Sequence, residues 1–309
     1  MTQTPKFSRR AALAGGLAAP VAFTLGQAHF TEANAAAPML GTSMPQFNRM
    51  MVGGFEVTTL LAGTRVVEDP QNIFGMNVSA DEFSAASAAN HLPANKVRFY
   101  FTPTVVNTGS ELVLFDTGLS PESITGALAA AGYTPDQIDK VVVTHFHGDH
   151  IGGLGGANPT FANAAYYTSE VEFGAYDGNE KVDALVKPLA DKMTMLKGGG
   201  AVASGITAVE AFGHSPGHMT FMLESDGKQL LIAADFANHY VWSLGYPDWE
   251  VKFDRDKAAA AATRRQILGM LATDKVPFIG YHMPFPAVGF VETAGDGFRY
   301  MPATYQMTM

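Results

Sequence analysis

Metal-binding side chains are concentrated in one short segment, VVVTHFHGDHIGG, at residues 141–153. Six consecutive positions inside this segment hold three of the chain's nine histidines and one aspartate: His145, His147, Asp149 and His150. The VVV run predicts a buried strand, and residues two apart in extended backbone point to the same side. His145 and His147 can therefore share one ion. Asp149 and His150 come where the chain turns into a glycine pair, so they can face a second point, and the string suits two ions.

Four further polar side chains follow predicted strands elsewhere in the chain. They are Asp116 after LVLF, His214 after ITAVEAFG, Asp235 after LLIAA and His282 after PFIGY. A single histidine or aspartate at such a place is usually a loop or turn residue. Ligands gathered at the ends of several strands are, however, a common way to build a site over an α/β sheet. The joint pattern therefore predicts one site that includes the histidine-rich segment.

The chain contains no cysteine, and this restricts the metal. Disulfides and thiolate zinc sites are excluded, so any ion must be bound by histidine and carboxylate groups. Nitrogen and oxygen ligands suit Zn, Mn, Fe or Co. A structural zinc site is closed by four ligands, whereas a larger ligand set over two ions leaves positions for water. The residue types therefore favour a centre of two ions bound by nitrogen and oxygen atoms.

Short apolar or alternating runs predict the strands that must position these residues. The predicted strands cover residues 55–62, 97–106, 111–115, 140–144, 206–212, 229–234 and 277–281. The predicted helices cover residues 121–131, with Ser120 as N-cap, 181–195 and 256–272. Residues 63–95 and 236–253 lack a strong period and are expected to form long loops, the second an aromatic-rich lid or pocket wall. Mixed strands and helices of this kind indicate a layered α/β domain.

The first 35 residues differ in composition from the rest of the chain. Arg9 and Arg10 precede an apolar, alanine-rich stretch, and Ala33-Asn34-Ala35 offers a small-x-small cleavage site. Paired arginines at this place are typical of a twin-arginine signal. We therefore expect residues 1–35 to be a signal peptide and residues 36–309 to be the mature domain, which is periplasmic or secreted. No spanning helix is predicted after the signal, so no stable membrane span should remain.

The balance of charge argues against a nucleic-acid partner. The formal net charge is −9, and the sequence has no run of lysine or arginine. A strongly acidic surface repels phosphate backbones. We therefore expect no nucleic-acid partner.

The motifs quoted above resemble those of the metallo-β-lactamase superfamily, and of the methyl parathion hydrolases and related lactonases in particular. The resemblance rests on His145-x-His147-x-Asp149-His150, the GHSPGH motif at 213–218, and the two later residues Asp235 and His282. Further matching stretches are NRMMVGGFEVTTL, VNTGSELVLFDTG, YHMPFPAVGF and GFRYMPATY, so the likeness extends over the mature chain. It implies a four-layer αβ/βα sandwich.

The resemblance also assigns roles to individual residues. One ion would be held by His145, His147 and His214, the second by Asp149, His150 and His282, and Asp235 would bridge both. Asp149 and Asp235 are the carboxylates expected to take part in catalysis. Asp116 and His218 would lie outside the ligand set, with Asp116 accepting a hydrogen bond that orients a ligand histidine. The cofactors implied are two divalent ions per chain, zinc first among the candidates, and a homodimer is compatible with the resemblance.

The function implied is metal-assisted hydrolysis by a hydroxide that bridges the ions. The expected substrate is a small hydrophobic ester or lactone, with organophosphate triesters as a further class. One alternative is a lactonase for N-acyl-homoserine lactones, although Asn238 stands where small lactonases of that kind carry tyrosine. A second alternative, a non-catalytic member, should have lost a ligand position. Six residues near the ligands in sequence are candidate pocket walls: Phe146, Phe236, His239, Tyr240, Trp242 and Phe285.

Overall fold

The computed structural model describes residues 38–304, and the predicted signal peptide lies outside them. Residues 38–43 belong to a small separate unit and carry no helix or strand. The described residues form the strands β1 Phe47–Val52, β2 Phe55–Leu60, β3 Gly63–Glu68, β4 Lys96–Phe101, β5 Thr104–Asn107, β6 Leu112–Phe115, β7 Lys140–Val142, β8 Ala165–Ser169, β9 Met193–Leu196, β10 Ala201–Ala203, β11 Ile206–Glu210, β12 Met219–Ser225, β13 Lys228–Ala234, β14 Phe278–Gly280, β15 Val288–Ala294 and β16 Gly297–Pro302. The same part of the chain forms the α-helices α1 Ala80–Ala89, α2 Pro121–Ala130, α3 Gly148–Ile151, α4 Glu170–Ala175, α5 Glu180–Leu185 and α6 Lys257–Asp274.

Two seven-stranded sheets form the centre of the domain. The first has the strand order β1-β2-β5-β6-β7-β8-β9, and the second runs from β10 to β16 in chain order. Strands β6 to β9 pair in parallel, because short helices connect them, whereas most other neighbours are antiparallel. Strands β3 and β4 form a separate two-stranded hairpin.

Alternation along the strands separates the layers of the core. In β6, Val113 and Phe115 join the cluster that contains residues of both sheets, while Leu114 joins the cluster that also contains Ile124 and Leu128 of α2. This is the period of two expected for a strand that is buried on both faces. Helix α6 packs against β15 of the second sheet. The layered α/β architecture predicted from the sequence is therefore confirmed.

The observed ends of helix α2 coincide with the sequence signals that predicted them. Ser120 accepts a hydrogen bond from the Ser123 N–H at 3.2 Å, and Pro121 occupies the first turn. The helix ends before Gly132, which adopts a φ of 85° that favours glycine. Cap, proline and glycine thus define both ends, and the observed helix differs from the predicted one by a single residue.

Three of the predicted elements were wrong. Residues 63–95 are not a loop, because they contain β3 and the Ser79-capped helix α1. The predicted strand 97–106 is two strands, β4 and β5, which belong to different sheets on either side of Pro103. The predicted helix 181–195 ends at Leu185, because Pro188 lies in a short 3₁₀ segment and the chain then enters β9.

Residues 236–253 contain no helix or strand, as predicted, but they are mostly buried. The segment packs in a third apolar cluster with α1 and the β3–β4 hairpin. Trp242 lies against Phe83 with ring centroids 4.8 Å apart, and its indole N–H donates to the Ser87 hydroxyl at 3.1 Å. The aromatic residues of this segment therefore hold the hairpin in place.

Candidate metal centre

The histidine-rich segment changes conformation in the middle, and this divides its side chains between two points. His145 and His147 follow β7 in extended backbone, and His147 caps helix α3 with φ −68° and ψ 151°. Asp149 and His150 lie within that helix, so their side chains leave the backbone at a different angle. The turn from strand to helix is thus what separates the string into two pairs.

Four donor groups converge at the first point, namely His145, His147, His214 and Asp235. The His147 Nδ1 atom lies 3.0 Å from His145 Nε2 and 2.9 Å from His214 Nε2. Two imidazole nitrogens that bind one zinc ion tetrahedrally are about 3.3 Å apart, given a bond of about 2.0 Å. The spacing therefore fits three nitrogens around a shared ion.

Three donor groups converge at the second point: Asp149, His150 and His282. The Asp149 Oδ2 atom lies 3.6 Å from His150 Nε2 and 3.3 Å from His282 Nε2. Asp235 reaches both points, since its Oδ2 lies 3.5 Å from His214 Nε2 and 3.1 Å from His282 Nε2, while its Oδ1 lies 3.4 Å from His150 Nε2. Asp235 is therefore placed between the two groups.

The backbone before Asp235 is distorted in a way that turns this side chain toward the centre. The register between β13 and β14 shifts between Ile232 and Ala234, and Ala234 has a φ of 48°. Asp116 also has a positive φ, at 59°. Strained φ values of this kind persist where the surrounding structure over-determines them, and they cluster at functional sites.

The far ring nitrogens of three of these histidines are hydrogen-bonded to fixed acceptors. The contacts are His150 Nδ1 to Asp116 Oδ2 at 2.8 Å, His214 Nδ1 to Asp254 Oδ1 at 2.9 Å, and His282 Nδ1 to the Tyr100 carbonyl oxygen at 2.8 Å. Such acceptors fix each ring so that its Nε2 atom faces the centre. Asp254 lies just before α6, whose N-cap is Asp256.

The donor atoms fit divalent ions because two of them have no hydrogen-bond partner in the protein. Among the described residues, His150 Nε2 and Asp235 Oδ1 are buried and make no hydrogen bond. Buried polar atoms without a partner are rare in native proteins and point to a missing ligand. An ion that binds to these atoms satisfies both of them.

The electrostatics of the site also favour bound cations. Burial lowers the pKa of His147 to about 3, so this ring is neutral and can bind a metal. Burial opposes a charged ring at His282 as well, but the carboxylates of Asp235 and Asp149 outweigh it and raise the pKa of His282 to about 10. Burial would raise the pKa of Asp149, yet His150 and His282 lower it to about 2. The carboxylates therefore favour positive charge between them.

His218 belongs to neither of the two donor groups. Its Nε2 atom accepts a hydrogen bond from the Asp235 backbone N–H at 3.0 Å. Asn238 contacts the side chain of the same residue, because its Nδ2 donates to Asp235 Oδ2 at 3.0 Å. His218 thus holds the backbone of Asp235, and Asn238 holds its carboxylate.

Glu172 is a buried residue of the site that sequence reasoning missed. Its Oε1 accepts from the Phe146 N–H at 2.9 Å, and its Oε2 accepts from the Ser215 hydroxyl and the Gly217 N–H, both at 2.7 Å. One side chain therefore joins the segment that carries His145 and His147 to the loop that carries His214. Only the GHSPGH motif hinted at a fixed loop, and nothing in the sequence pointed to its carboxylate partner.

We expect Glu172→Gln to loosen both ligand-bearing segments. An amide nitrogen would face one of the three donors, so at least one buried N–H or hydroxyl would lose its acceptor, at a cost of about 1–3 kcal/mol in the free energy of unfolding. Metal affinity should fall by about 10- to 100-fold. Competitive chelator titration measures the second effect. Glu170→Gln, an exposed neighbour paired with Lys197, should leave metal affinity unchanged, and equal effects of the two variants would contradict the assigned role.

A cavity of about 540 Å³ opens over the donor cluster. Its floor is formed by His147, Gly148, Asp149, Asp235 and His282. The walls are mainly apolar and aromatic: Val67, Ile73, Phe99, Phe101, Leu119 and Phe253, with Arg65 and Lys181 completing the lining. A cavity of this size and character is typical of a small-molecule site.

The six residues expected to form the pocket wall do not line this cavity within the described part of the chain. Phe146 lies between His145 and His147, and alternation along extended backbone turns it away from them into the core, beside Phe173 and Tyr176. Phe236 lies in the core shared by the sheets. His239, Tyr240 and Trp242 line a different cavity of about 350 Å³, and Phe285 lines neither. Half of the wall residues belong to the β3–β4 hairpin, which is distant from the ligands in sequence.

Comparison with known proteins agrees with this geometry. The family model of the metallo-β-lactamase superfamily matches residues 102–277, more than half of the chain. A protein of Bacillus subtilis (strain 168) called YobT is 24% identical over 190 residues, covering 56% of this chain and 78% of that protein. An N-acyl homoserine lactonase of Bacillus cereus is 26% identical over 113 residues, covering 36% of this chain and 43% of the lactonase.

Among solved structures, the dizinc quorum-quenching lactonase AidC, in complex with a homoserine product, superposes with a TM-score of 0.78. The two chains are 23% identical, and the match covers 84% of this chain and 98% of AidC. At this identity the likeness shows the fold, and the two donor groups of this chain together with the dizinc neighbour suggest a binuclear metal site. The chain belongs to the metallo-β-lactamase superfamily and is one of its metal-dependent hydrolases.

Proposed function

We propose that this chain hydrolyses small hydrophobic esters or lactones at a centre of two divalent ions, with zinc as the first candidate metal. The observation that carries the proposal is the cavity itself, whose apolar walls stand directly over four of the seven donor residues. Such walls would bind an apolar substrate and hold it next to the donor cluster, where the reaction takes place. The named activity of the lactonase relatives supports the same class of substrate.

The seven donors would hold the ions in two groups, joined by Asp235. Two divalent ions supply Lewis acidity for a carbonyl or phosphoryl oxygen and lower the pKa of a water molecule. Asp149 remains ionised at neutral pH, because its pKa is about 2, so it serves as a ligand and not as a proton donor. Phe99 and Phe101 stand edge-on to His282 with ring centroids 5.3 and 5.6 Å away, so they shield the centre from bulk water.

A serine nucleophile is not available at the GHSPGH motif. Ser215 is completely buried, and its hydroxyl donates to Glu172 Oε2 at 2.7 Å. It faces away from the cavity and serves the loop that carries His214. The chemistry therefore rests on the donor cluster.

N-acyl-homoserine lactones are a second candidate substrate class, favoured by the names of several relatives. Among the described residues that line the cavity there is no tyrosine hydroxyl to assist the carbonyl oxygen. The nearby Tyr281 hydroxyl donates instead to the Asp149 carbonyl oxygen. N-acyl-homoserine lactones therefore stay the second candidate, behind general lactones and aryl esters.

A panel of substrates tests the proposal directly. Metal-loaded protein should hydrolyse dihydrocoumarin and 4-nitrophenyl acetate. The same assays with an acyl-homoserine lactone and methyl paraoxon show whether homoserine lactones and organophosphate triesters are also substrates. Turnover of methyl paraoxon would add organophosphate triester hydrolysis to the activity. Absence of turnover with all four compounds, in protein shown to contain metal, would contradict the proposed substrate class.

We also propose that the chain is exported, on the basis of residues 1–35 alone. Within the described residues no helix is long and apolar enough to cross a membrane. Replacement of Arg9 and Arg10 by lysine should retain the precursor in the cytoplasm, because the paired arginines define this type of signal. Cell fractionation with an antibody against the mature domain measures the outcome, and unchanged export would contradict the proposal.

A further inference from the structure

The cavity over the donor cluster carries two cations that the proposed chemistry does not use. Arg65 and Lys181 both line it, and both residues are exposed. Within residues 38–304 neither side chain is paired with a carboxylate. Both positive charges are therefore available to a ligand in the cavity.

Arg65 extends from the face of the hairpin that forms the apolar wall. It pairs with Phe99 across β3 and β4, and Gly63 pairs with Phe101. Side chains of directly paired residues lie on the same face of the hairpin, and alternation adds Val67 to that face. Arg65 is therefore a charged side chain on the same face as Phe99 and Phe101, the two phenylalanines that contact His282.

Lys181 reaches the cavity beside the histidine-rich segment. A Cβ atom placed on Gly148 would lie 2.1 Å from Lys181 Nζ. The ammonium group therefore occupies the space that a side chain at position 148 would fill. The two cations belong to different elements of the fold, β3 and α5, and lie on the lining of one cavity.

We propose that Arg65 and Lys181 bind a carboxylate that the substrate carries away from its scissile bond. The inference rests on the proposed ester or lactone hydrolysis and specifies its substrate: an apolar spacer with an acidic end. The apolar wall accommodates the spacer, and the guanidinium and ammonium groups donate charge-assisted hydrogen bonds to the carboxylate. The overall negative charge of the chain would otherwise disfavour an anionic substrate.

Binding of two amides that differ only at one end tests the inference without any turnover. The probes are N-(4-nitrophenyl)adipamic acid and N-(4-nitrophenyl)hexanamide, titrated calorimetrically into metal-loaded protein. The acid should bind more tightly, and Arg65→Met and Lys181→Met should each reduce that preference by roughly 2- to 5-fold, because exposed ion pairs are weak. Lys197→Met, which removes a lysine outside the cavity, should keep the preference. Equal binding of the two probes, or a preference that survives in the double variant, would overturn the inference.

Hydrolysis of the matching esters separates this inference from the proposed function. The ratio of kcat/KM for mono-4-nitrophenyl adipate to that for 4-nitrophenyl hexanoate should exceed one in the wild type and fall in both variants. A variant that lowers kcat/KM for both esters equally would place its residue at the reacting centre and contradict the carboxylate site. Absence of turnover with every ester would contradict the proposed function, while the amide titration would still decide the carboxylate site.

Discussion

Asp235→Asn is expected to remove most of the hydrolytic activity. Asp235 contacts histidines of both donor groups, with Oδ2 3.1 Å from His282 Nε2 and Oδ1 3.4 Å from His150 Nε2. The amide removes the negative charge and turns an N–H₂ group toward one set of ring nitrogens. Because loss of an outer partner alone costs about 10- to 100-fold, loss of this carboxylate should lower kcat/KM by more than about 100-fold. The metal content should also fall below two ions per chain.

The substitution should leave the fold intact, which makes the result interpretable. The Asp235 backbone N–H still donates to His218, and the side chain keeps its volume. Asp226→Asn is a matched control, because Asp226 is an exposed turn residue with a φ of 48° that asparagine also tolerates. Near-wild-type rates in Asp235→Asn, with two ions still bound, would refute the bridging role.

Arg264→Met is expected to destabilise the protein strongly although the residue lies outside the cavity. Arg264 is completely buried and donates to Asp254 Oδ2 at 2.7 Å, to the Pro247 carbonyl at 2.8 Å and to the Trp249 carbonyl at 3.2 Å. Methionine fills similar space but leaves the buried Asp254 carboxylate without a cation. Breaking a buried pair from one side costs about 3–5 kcal/mol in the free energy of unfolding. Since Asp254 also holds His214, metal affinity should fall as well.

The adjacent arginine offers a control for this prediction. Arg265 pairs with Asp248 at the surface, where the side chains are 44% and 60% exposed. A surface pair contributes at most about 1 kcal/mol, so Arg265→Met should have a small effect. Urea unfolding at a fixed metal concentration compares the two variants, because bound metal itself shifts stability. Similar midpoints for Arg264→Met and the wild type would contradict the structural role of the buried pair.

The ligand cluster could be predicted from the sequence because its signals are local. The His145–His150 string, the VVV strand before it and the strand-end positions of Asp235 and His282 are all visible as short patterns. Sites in α/β proteins are commonly built from residues that follow strands, and for this reason residues distant in sequence could be placed in one site. The structure brings all seven into two adjoining groups.

The cavity walls and the supporting carboxylates could not be predicted in the same way. The hairpin residues Phe99 and Phe101 reach His282 through tertiary packing, and no sequence period relates them to it. Glu172 and Asp254 are charged residues that the sequence alone would place at the surface, yet both are buried because hydrogen-bond donors of the ligand loops surround them. The nearest aromatic in sequence, Phe146, points into the core, since neighbours along a strand face opposite sides.

The metal content of the purified chain tests the central claim most directly. Elemental analysis of protein prepared without added chelator should give two divalent ions per chain, and removal of both should abolish hydrolysis of 4-nitrophenyl acetate. Activity should return when zinc is restored to two equivalents, because both donor groups are needed to position substrate and water. Full activity in protein that contains less than one ion per chain, unchanged by chelation, would contradict a binuclear hydrolytic centre.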